Sequence, residues 1–303
     1  MMAIFRPVNF KGVLLLNEAM EKHTSWRSGG PADQFYTPAE LDDLSKFLRS
    51  LPTDESIMFV GLGSNLLVRD GGYRGTVISL KGCFTDIEKL EGNKLRVGAG
   101  VSCAKLARFC HRNNLIGGEF FAGIPGLVGG ALAMNAGAFG GETWPVVISV
   151  ITVNKLGDIH NRTADDYDVS YRSVKGHDDE WFVSADLQLK SGDGEAAAEQ
   201  VKALLKKRAE TQPTGVPSCG SVFKNPQGDF AARLIEASNL KGFAIGDAQV
   251  SEKHANFIIN TGKAKPSEIE AVIKKVQKTV KEKQGVELVT EVKIVGEFND
   301  ESL

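Results

Sequence analysis

GLGSNLLV (61–68) and AGIPGLVGG (122–130), the latter continuing to MNAGAFGGE (134–142), hold most of what this chain says about its fold. The first follows directly on Ile57 to Val60, an apolar run short enough to be a strand and bounded by Gly61. Glycines let backbone N–H groups approach a phosphate closely, and Ser64 and Asn65 add side-chain hydrogen bonds. Such a loop holds a pyrophosphate without a lysine. It is not G-x-G-x-x-G, because Leu66 stands where the third glycine belongs, and G-x-x-x-x-G-K-[ST] does not occur, which disfavours Rossmann and P-loop sites. An ordinary strand-ending turn accounts for the same residues. The second stretch uses more small residues than a turn needs and mixes them with apolar ones, as a chain does where it passes close to something flat. Tight packing of a glycine-rich β segment is the alternative.

N-terminal to these stretches, Thr37-Pro38-Ala39-Glu40 reads as a helix start, with Thr37 as cap, Pro38 at the first helical position and Glu40 at the third. Leu41, Leu44, Leu48 and Leu51 follow at helical spacing, and Thr76 to Leu80 is a second strand, so the opening region is a small α/β unit. Strands are predicted over 94–100, 146–153 and 181–189, with a helix bearing Leu106, Phe109 and Cys110 and a polar, turn-rich stretch over 158–180. A charged helix over 195–210 carries Val201, Leu204 and Leu205, and ends before the turn-rich 212–217, the best domain boundary. Beyond it, Pro266 and a Ser267 to Glu270 capping pair open an amphipathic helix with Ile269, Val272, Ile273, Val276 and Val280, stopped by Gly285. The C-terminal part is α+β, and no internal repeat is visible.

A chain of 303 residues is long enough for about two domains. The 36 Lys and Arg against 38 Asp and Glu leave a formal charge of −2, which supplies no overall field for nucleic acid or an anionic membrane. Cys83, Cys103, Cys110 and Cys219 lack zinc-site spacing and read as reduced thiols, and the five histidines are scattered, so no metal site is expected. The first residues have only the short apolar run Val13 to Leu16, below a signal peptide or a membrane span, so a cytoplasmic protein is expected.

The two glycine stretches, SYRS (170–173), PSCGSVFKNP (217–226), VSEKHANFIIN (250–260) and TEVKIVGEF (290–298) occur in an order and spacing that resembles the UDP-N-acetylenolpyruvoylglucosamine reductase family, from about His23 to Phe298. The resemblance implies an α+β fold: a two-part FAD-binding domain of the vanillyl-alcohol oxidase type over 23–210 (parts 23–82 and 83–210), an α+β substrate domain over 211–303, and an N-terminal extension over 1–22. It implies FAD as cofactor, NADPH as co-substrate and UDP-N-acetylenolpyruvoylglucosamine as substrate, in peptidoglycan precursor synthesis. The expected protein is a monomer with neither nucleic acid nor membrane as partner.

The resemblance also assigns roles. Gly61, Gly63, Ser64, Asn65, Leu66, Gly123, Ile124, Pro125, Gly129, Gly130, Asn135, Gly137 and Ala138 would cradle FAD. Ser221, in GS-x-F-K-N-P, matches the family's proton donor, a role that a weakly acidic hydroxyl fills only toward a strongly basic intermediate. Arg172 matches the arginine whose planar fork suits the substrate carboxylate, and Glu291 a glutamate that orients that end of the substrate or relays a proton. Tyr171, Lys224 and Asn225 are expected substrate contacts by neighbourhood, and Arg208, in R-x-x-x-Q-P, is expected to reach a phosphate group. His254 is expected to be hydrogen-bonded within the fold and Cys219 to pack. Segment 173–216 contains no tyrosine, so the chain resembles the shorter form of the family, without a tyrosine loop over the substrate. A flavin oxidase of the same FAD-domain class, or a non-catalytic sugar-nucleotide binding protein, shares part of this pattern.

Overall fold

Alternating and continuous apolar runs build the first sheet. Ile57–Val60 and Tyr73–Ser79 lie parallel, with Ile57 opposite Thr76 and Val60 opposite Ser79. The strand order is Ile4–Phe5, Val13–Ala19, Pro31–Thr37, Tyr73–Ser79, Ile57–Val60. The structure, a computed structural model, describes residues 4–5 and 10–299. Of the extension expected over 1–22, residues 1–3 and 6–9 therefore lie outside it, and 13–19 is a strand.

Helix α1 (Leu41–Ser50) buries Leu44, Phe47 and Leu48 in a core with Leu14, Tyr36 and Ile78. Tyr36 and Phe47 stack with ring centroids 3.7 Å apart. The expected start at Thr37 is corrected: Thr37 ends a strand, and Glu40 is the N-cap without a side-chain capping bond. Asp43 accepts the Ala39 N–H at 2.9 Å, the Lys11 N–H at 2.8 Å and the Tyr36 hydroxyl at 2.7 Å. Asp43, in the first turn, thus ties the helix to the segments that precede it rather than capping its free N–H groups.

The second sheet is antiparallel, in the order Ile159–Thr163, Val147–Asn154, Glu180–Gln188, Lys94–Gly98, Ile87–Leu90. Helices α2 (Cys103–Arg112) and α3 (Val128–Ala133) share a core with it, built on Leu95, Val97, Leu106, Phe121, Leu132, Val150 and Leu187. Ser102 caps α2 through the Lys105 N–H at 3.2 Å. The polar stretch 158–180 holds strands joined by turns, as its composition predicts. Helix α4 (Gly194–Thr211) buries only Gly194 and Ala197 and leaves Leu205 exposed.

A third core gathers Trp26, Leu67, Val222, Phe223, Leu234, Val250, Ile258 and the apolar face of the C-terminal helix. Trp26 is fully buried and donates its indole N–H to Ile258 O at 2.7 Å. The helices here are α5 (Ala231–Ala237) and α6 (Pro266–Gln284), beside a sheet of Ala244–Ile245, Ala248–Val250 and Ile258–Asn260. Leu66–Val68 and Lys293–Val295 form a parallel pair. The five apolar residues predicted on α6 are buried, and Gly285 ends it in the left-handed region at φ 71°. The expected Ser267 to Glu270 capping pair is corrected. Glu268 accepts the Lys265 N–H at 3.0 Å, the Ser267 N–H goes to Asp70 at 2.8 Å, and Glu270 is buried against Arg69. The helix begins two residues earlier than that pair requires, so its third position falls on Glu268.

Compact units do not follow chain order. Residues 10–16, 34–61 and 75–207 form one, and residues 17–33, 62–74 and 208–299 the other.

Candidate active site

The expected site residues fall into two constellations, one within each unit. In the first, Gly61 ends its strand against Leu127: a Cβ added there would stand 3.2 Å from the Leu127 side chain. The two glycine stretches thus converge. Ile124 is half-buried and Pro125 exposed, while Val128 and Gly129 donate their N–H groups to Val101 O and Ala99 O at 2.9 and 2.8 Å.

Close packing explains several of these glycines. A Cβ at Gly123 would meet the Ala138 Cβ at 2.6 Å, one at Gly129 the Ala99 Cβ at 3.0 Å, and one at Gly137 the Gly141 carbonyl at 2.4 Å. Gly130 differs, being exposed with nothing within 4 Å of a Cβ built on it. Tight packing therefore accounts for Gly123, Gly129 and Gly137 but not for Gly130, and Val128–Ala133 is a helix rather than a β segment. Asn135 is buried with a positive φ of 46°, and its carboxamide is used within the fold. Nδ2 donates to Glu142 at 2.9 Å and Ser170 O at 3.2 Å, and Oδ1 accepts the Trp144 N–H at 3.0 Å.

Arg172 meets this segment. It sits at φ 53° in the two-residue turn joining Asp168–Ser170 to Ser173–Lys175, a conformation costly for a residue with a Cβ. Its Nη1 donates to Asn135 O at 3.2 Å and its Nη2 to Gly137 O at 2.8 Å, with the guanidinium 5.1 Å over the half-exposed Tyr171 ring. Two main-chain anchors fix the plane of the fork.

The second unit collects the rest. Gly63, at φ 60°, packs so tightly that a Cβ would lie 2.1 Å from His23 O. Ser64 beside it is half-buried. Asn65 donates from Nδ2 to Glu291 O at 3.0 Å and accepts the Lys293 N–H on its own carbonyl at 3.0 Å, and Leu66 starts the strand paired with Lys293–Val295. The Glu291 N–H donates to Val222 O at 2.8 Å, so Glu291 and Ser221 ride on hydrogen-bonded neighbouring segments. The Lys224 N–H donates to Val289 O at 2.9 Å, and Asn225 Oδ1 accepts the Ala231 N–H at 3.1 Å at the start of α5. Arg208 donates from Nε to Gln212 Oε1 at 2.8 Å, and burial draws its pKa down.

Comparison with known proteins gives these residues a context. An FAD binding domain matches residues 32–162, and the UDP-N-acetylenolpyruvoylglucosamine reductase C-terminal domain matches residues 212–295. The UDP-N-acetylenolpyruvoylglucosamine reductase of Legionella pneumophila (strain Corby) is 56% identical over 290 residues, 95% of this chain and 94% of its own length. That of Alkalilimnicola ehrlichii is 58% identical over 280 residues, 92% and 94% of the two chains. The chain belongs to the UDP-N-acetylenolpyruvoylglucosamine reductase family. The crystal structure of the Thermus caldophilus enzyme matches with a TM-score of 0.80 at 29% identity, over 97% of this chain and 99% of that one. As a member of the family the chain is an FAD-dependent oxidoreductase, and the α+β expectation holds.

Gly130, in the second glycine stretch, leaves its backbone open to an approaching group, as a residue that would help hold FAD requires. Replacing Gly130 by Val should leave the fold of the apoprotein intact, since a Cβ built there meets nothing within 4 Å outside the helix's own backbone. It should weaken FAD retention by about tenfold or more, roughly 1.4 kcal/mol. Flavin absorbance per protein after gel filtration, with the melting curve of the apoprotein, checks both.

Cys219 packs as expected: it is buried, lies near the Gly63 and Leu66 carbonyls at 3.4 and 3.6 Å, and burial pushes its thiol up to about 12. His254 is hydrogen-bonded within the fold through its backbone, its N–H donating to Ser251 Oγ at 3.4 Å and its carbonyl accepting the Phe257 N–H at 3.0 Å. Its Nδ1 has no hydrogen-bond partner among the described residues, its ring packs edge-on to Phe257 at 4.8 Å, and burial lowers its pKa. Asn256, with no role assigned from the sequence, is the residue most involved with the Ser221 segment. A polar residue inside the apolar run Ala255 to Ile258 was the available signal, since buried polar groups are paired.

Proposed function

We propose that the chain reduces the enolpyruvyl ether of UDP-N-acetylenolpyruvoylglucosamine to the lactyl ether of UDP-N-acetylmuramate, with NADPH as reductant. The placement of Ser221 and Glu291 on adjacent segments, joined by the 2.8 Å bond from Glu291 N–H to Val222 O, is the observation that carries this reading. The substrate gains a hydride at its terminal methylene carbon and a proton at the next carbon, passing through an enolate that its carboxylate stabilises. FAD, when bound, supplies the two-electron relay between nicotinamide and substrate. Ser221 delivers the proton from Oγ, Arg172 presents its anchored fork to the substrate carboxylate, and Glu291 orients that end of the substrate. Lys224 and Arg208 provide positive charge for carboxylate and phosphate, with Tyr171 and Asn225 as further contacts. Residues 211–303 form the substrate-binding part of this reading.

Anaerobic absorbance of the FAD-loaded protein tests it. NADPH should bleach the flavin band, and the enolpyruvyl sugar nucleotide should restore it. Bleaching without recovery would remove the substrate assignment, and hydrogen peroxide formed steadily in air with another alcohol or sugar would favour an oxidase.

A further inference from the structure

Ser221 lies outside regular secondary structure, directly after Gly220 in the left-handed region at φ 71°. Something other than a strand ladder or helix must hold its hydroxyl in place. Asn256, 3% exposed, supplies that hold from one side. Its Oδ1 accepts the Phe223 N–H at 3.0 Å, and its Nδ2 donates to Phe223 O at 2.9 Å. Its own carbonyl accepts the Val222 N–H at 2.9 Å. One residue thus satisfies three backbone groups of the two residues that follow Ser221.

From the other side, Val222 O accepts the N–H groups of Glu291 and Val292 at 2.8 and 3.3 Å. Asn65 in turn holds Glu291 O at 3.0 Å. A continuous chain of bonds runs from Asn256 through Val222 to Glu291 and ends on Asn65. Only a carboxamide serves at position 256. A carboxylate keeps the acceptor for the Phe223 N–H but sets a second oxygen against Phe223 O, while an aliphatic side chain leaves both buried groups unsatisfied.

We propose that Asn256 is a positioning residue that sets the Ser221 hydroxyl in register with Glu291. The proposal rests on Ser221 acting as proton donor. It is tested by the two half-reactions of FAD-loaded Asn256→Asp, Asn256→Ala, Ser221→Ala and the Ser221→Ala/Asn256→Asp double variant, with flavin content and melting temperature recorded for each. Displacing a catalytic group by about 1 Å costs on the order of 10²-fold. Asn256→Asp should therefore slow reoxidation by the enolpyruvyl sugar nucleotide about 10- to 100-fold, with reduction by NADPH within about twofold of the parent. In the Ser221→Ala background the same change should add less than about twofold, because the hydroxyl it positions is gone.

Asn256→Asp and Asn256→Ala that reoxidise like the parent, while Ser221→Ala is slow, would overturn the proposal and leave the proton donor standing. So would equal slowing of both half-reactions, or full additivity in the double variant. Failure of both single variants to yield FAD-loaded protein would make Asn256 a folding residue and overturn it too. Ser221→Ala reoxidising normally would remove the proton-donor reading, and the positioning role with it.

Discussion

Replacing Ser221 by Ala slows recovery of the flavin band on adding the enolpyruvyl sugar nucleotide by about 10²- to 10⁴-fold, the range for loss of a positioned proton donor. Bleaching by NADPH stays within about twofold. The asymmetry follows from the role proposed for the hydroxyl, which acts only on the intermediate formed from the sugar nucleotide. The fold should absorb the change, because the backbone after Ser221 is held by Asn256 and Glu291, and neither of those bonds uses the serine side chain. Stopped-flow absorbance under anaerobic conditions separates the two rates. Equal slowing of both in an FAD-loaded, folded variant would refute the proton-donor role.

Replacing Arg69 by Ala costs about 3 kcal/mol of stability at neutral pH, because it strips most of the pairing from a buried carboxylate. Glu270, whose side chain is 5% exposed, receives Arg69 Nε at 2.8 Å and Nη2 at 3.2 Å. Arg69 also donates from Nη1 to Gly296 O at 3.0 Å and lies 4.3 Å over the Phe298 ring. Among the described residues, only Lys274, at 2.9 Å and 62% exposed, would remain as a charged partner of Glu270. Burial pushes the Glu270 pKa up, but the hydrogen bonds and charges of Arg69 and Lys274 outweigh it, leaving the carboxyl below its ordinary value of 4.5.

For a carboxyl with a lowered folded pKa, the pair's stabilisation is complete above the ordinary value and is lost as pH falls through the folded one. In the variant, the stranded carboxylate is relieved by protonation. The difference between Arg69→Ala and the parent should therefore be largest near pH 7 and shrink below about pH 4.5. Urea midpoints at pH 7 and pH 4 check this. An equal loss at both values would assign the whole effect to packing against Phe298.

Much of the architecture was legible because its signals are short-range. The runs at 57–60, 94–98, 147–153 and 181–188, the apolar stripe of α6 and its stop at Gly285 all follow from period, length and turn chemistry within a few residues. Helix starts were less legible. Thr37 and Ser267 are both good caps by type, yet Glu40 and Lys265 stand at the N-cap positions, because strand ends and neighbouring segments decide where a helix can begin. The motifs around Ser221, Arg172 and Glu291 marked the candidate site, but not what holds them. His254 had every reason by type to use its ring nitrogens, yet Nδ1 has no partner among the described residues and the ring packs against Phe257.

The sequence by itself determined the family, the flavin chemistry, the main elements and the residues at which the reaction is proposed to occur, since these depend on residue type and local spacing. Only the tertiary structure decided that 17–33 and 62–74 fold with 208–299, that Leu66–Val68 pairs with Lys293–Val295, and that Asn256 and Asn65 lace the segments of Ser221 and Glu291 together. Those pairings join residues separated by tens to hundreds of positions. Hydrogen bonding and burial select them only when all the segments compete at once for the same partners.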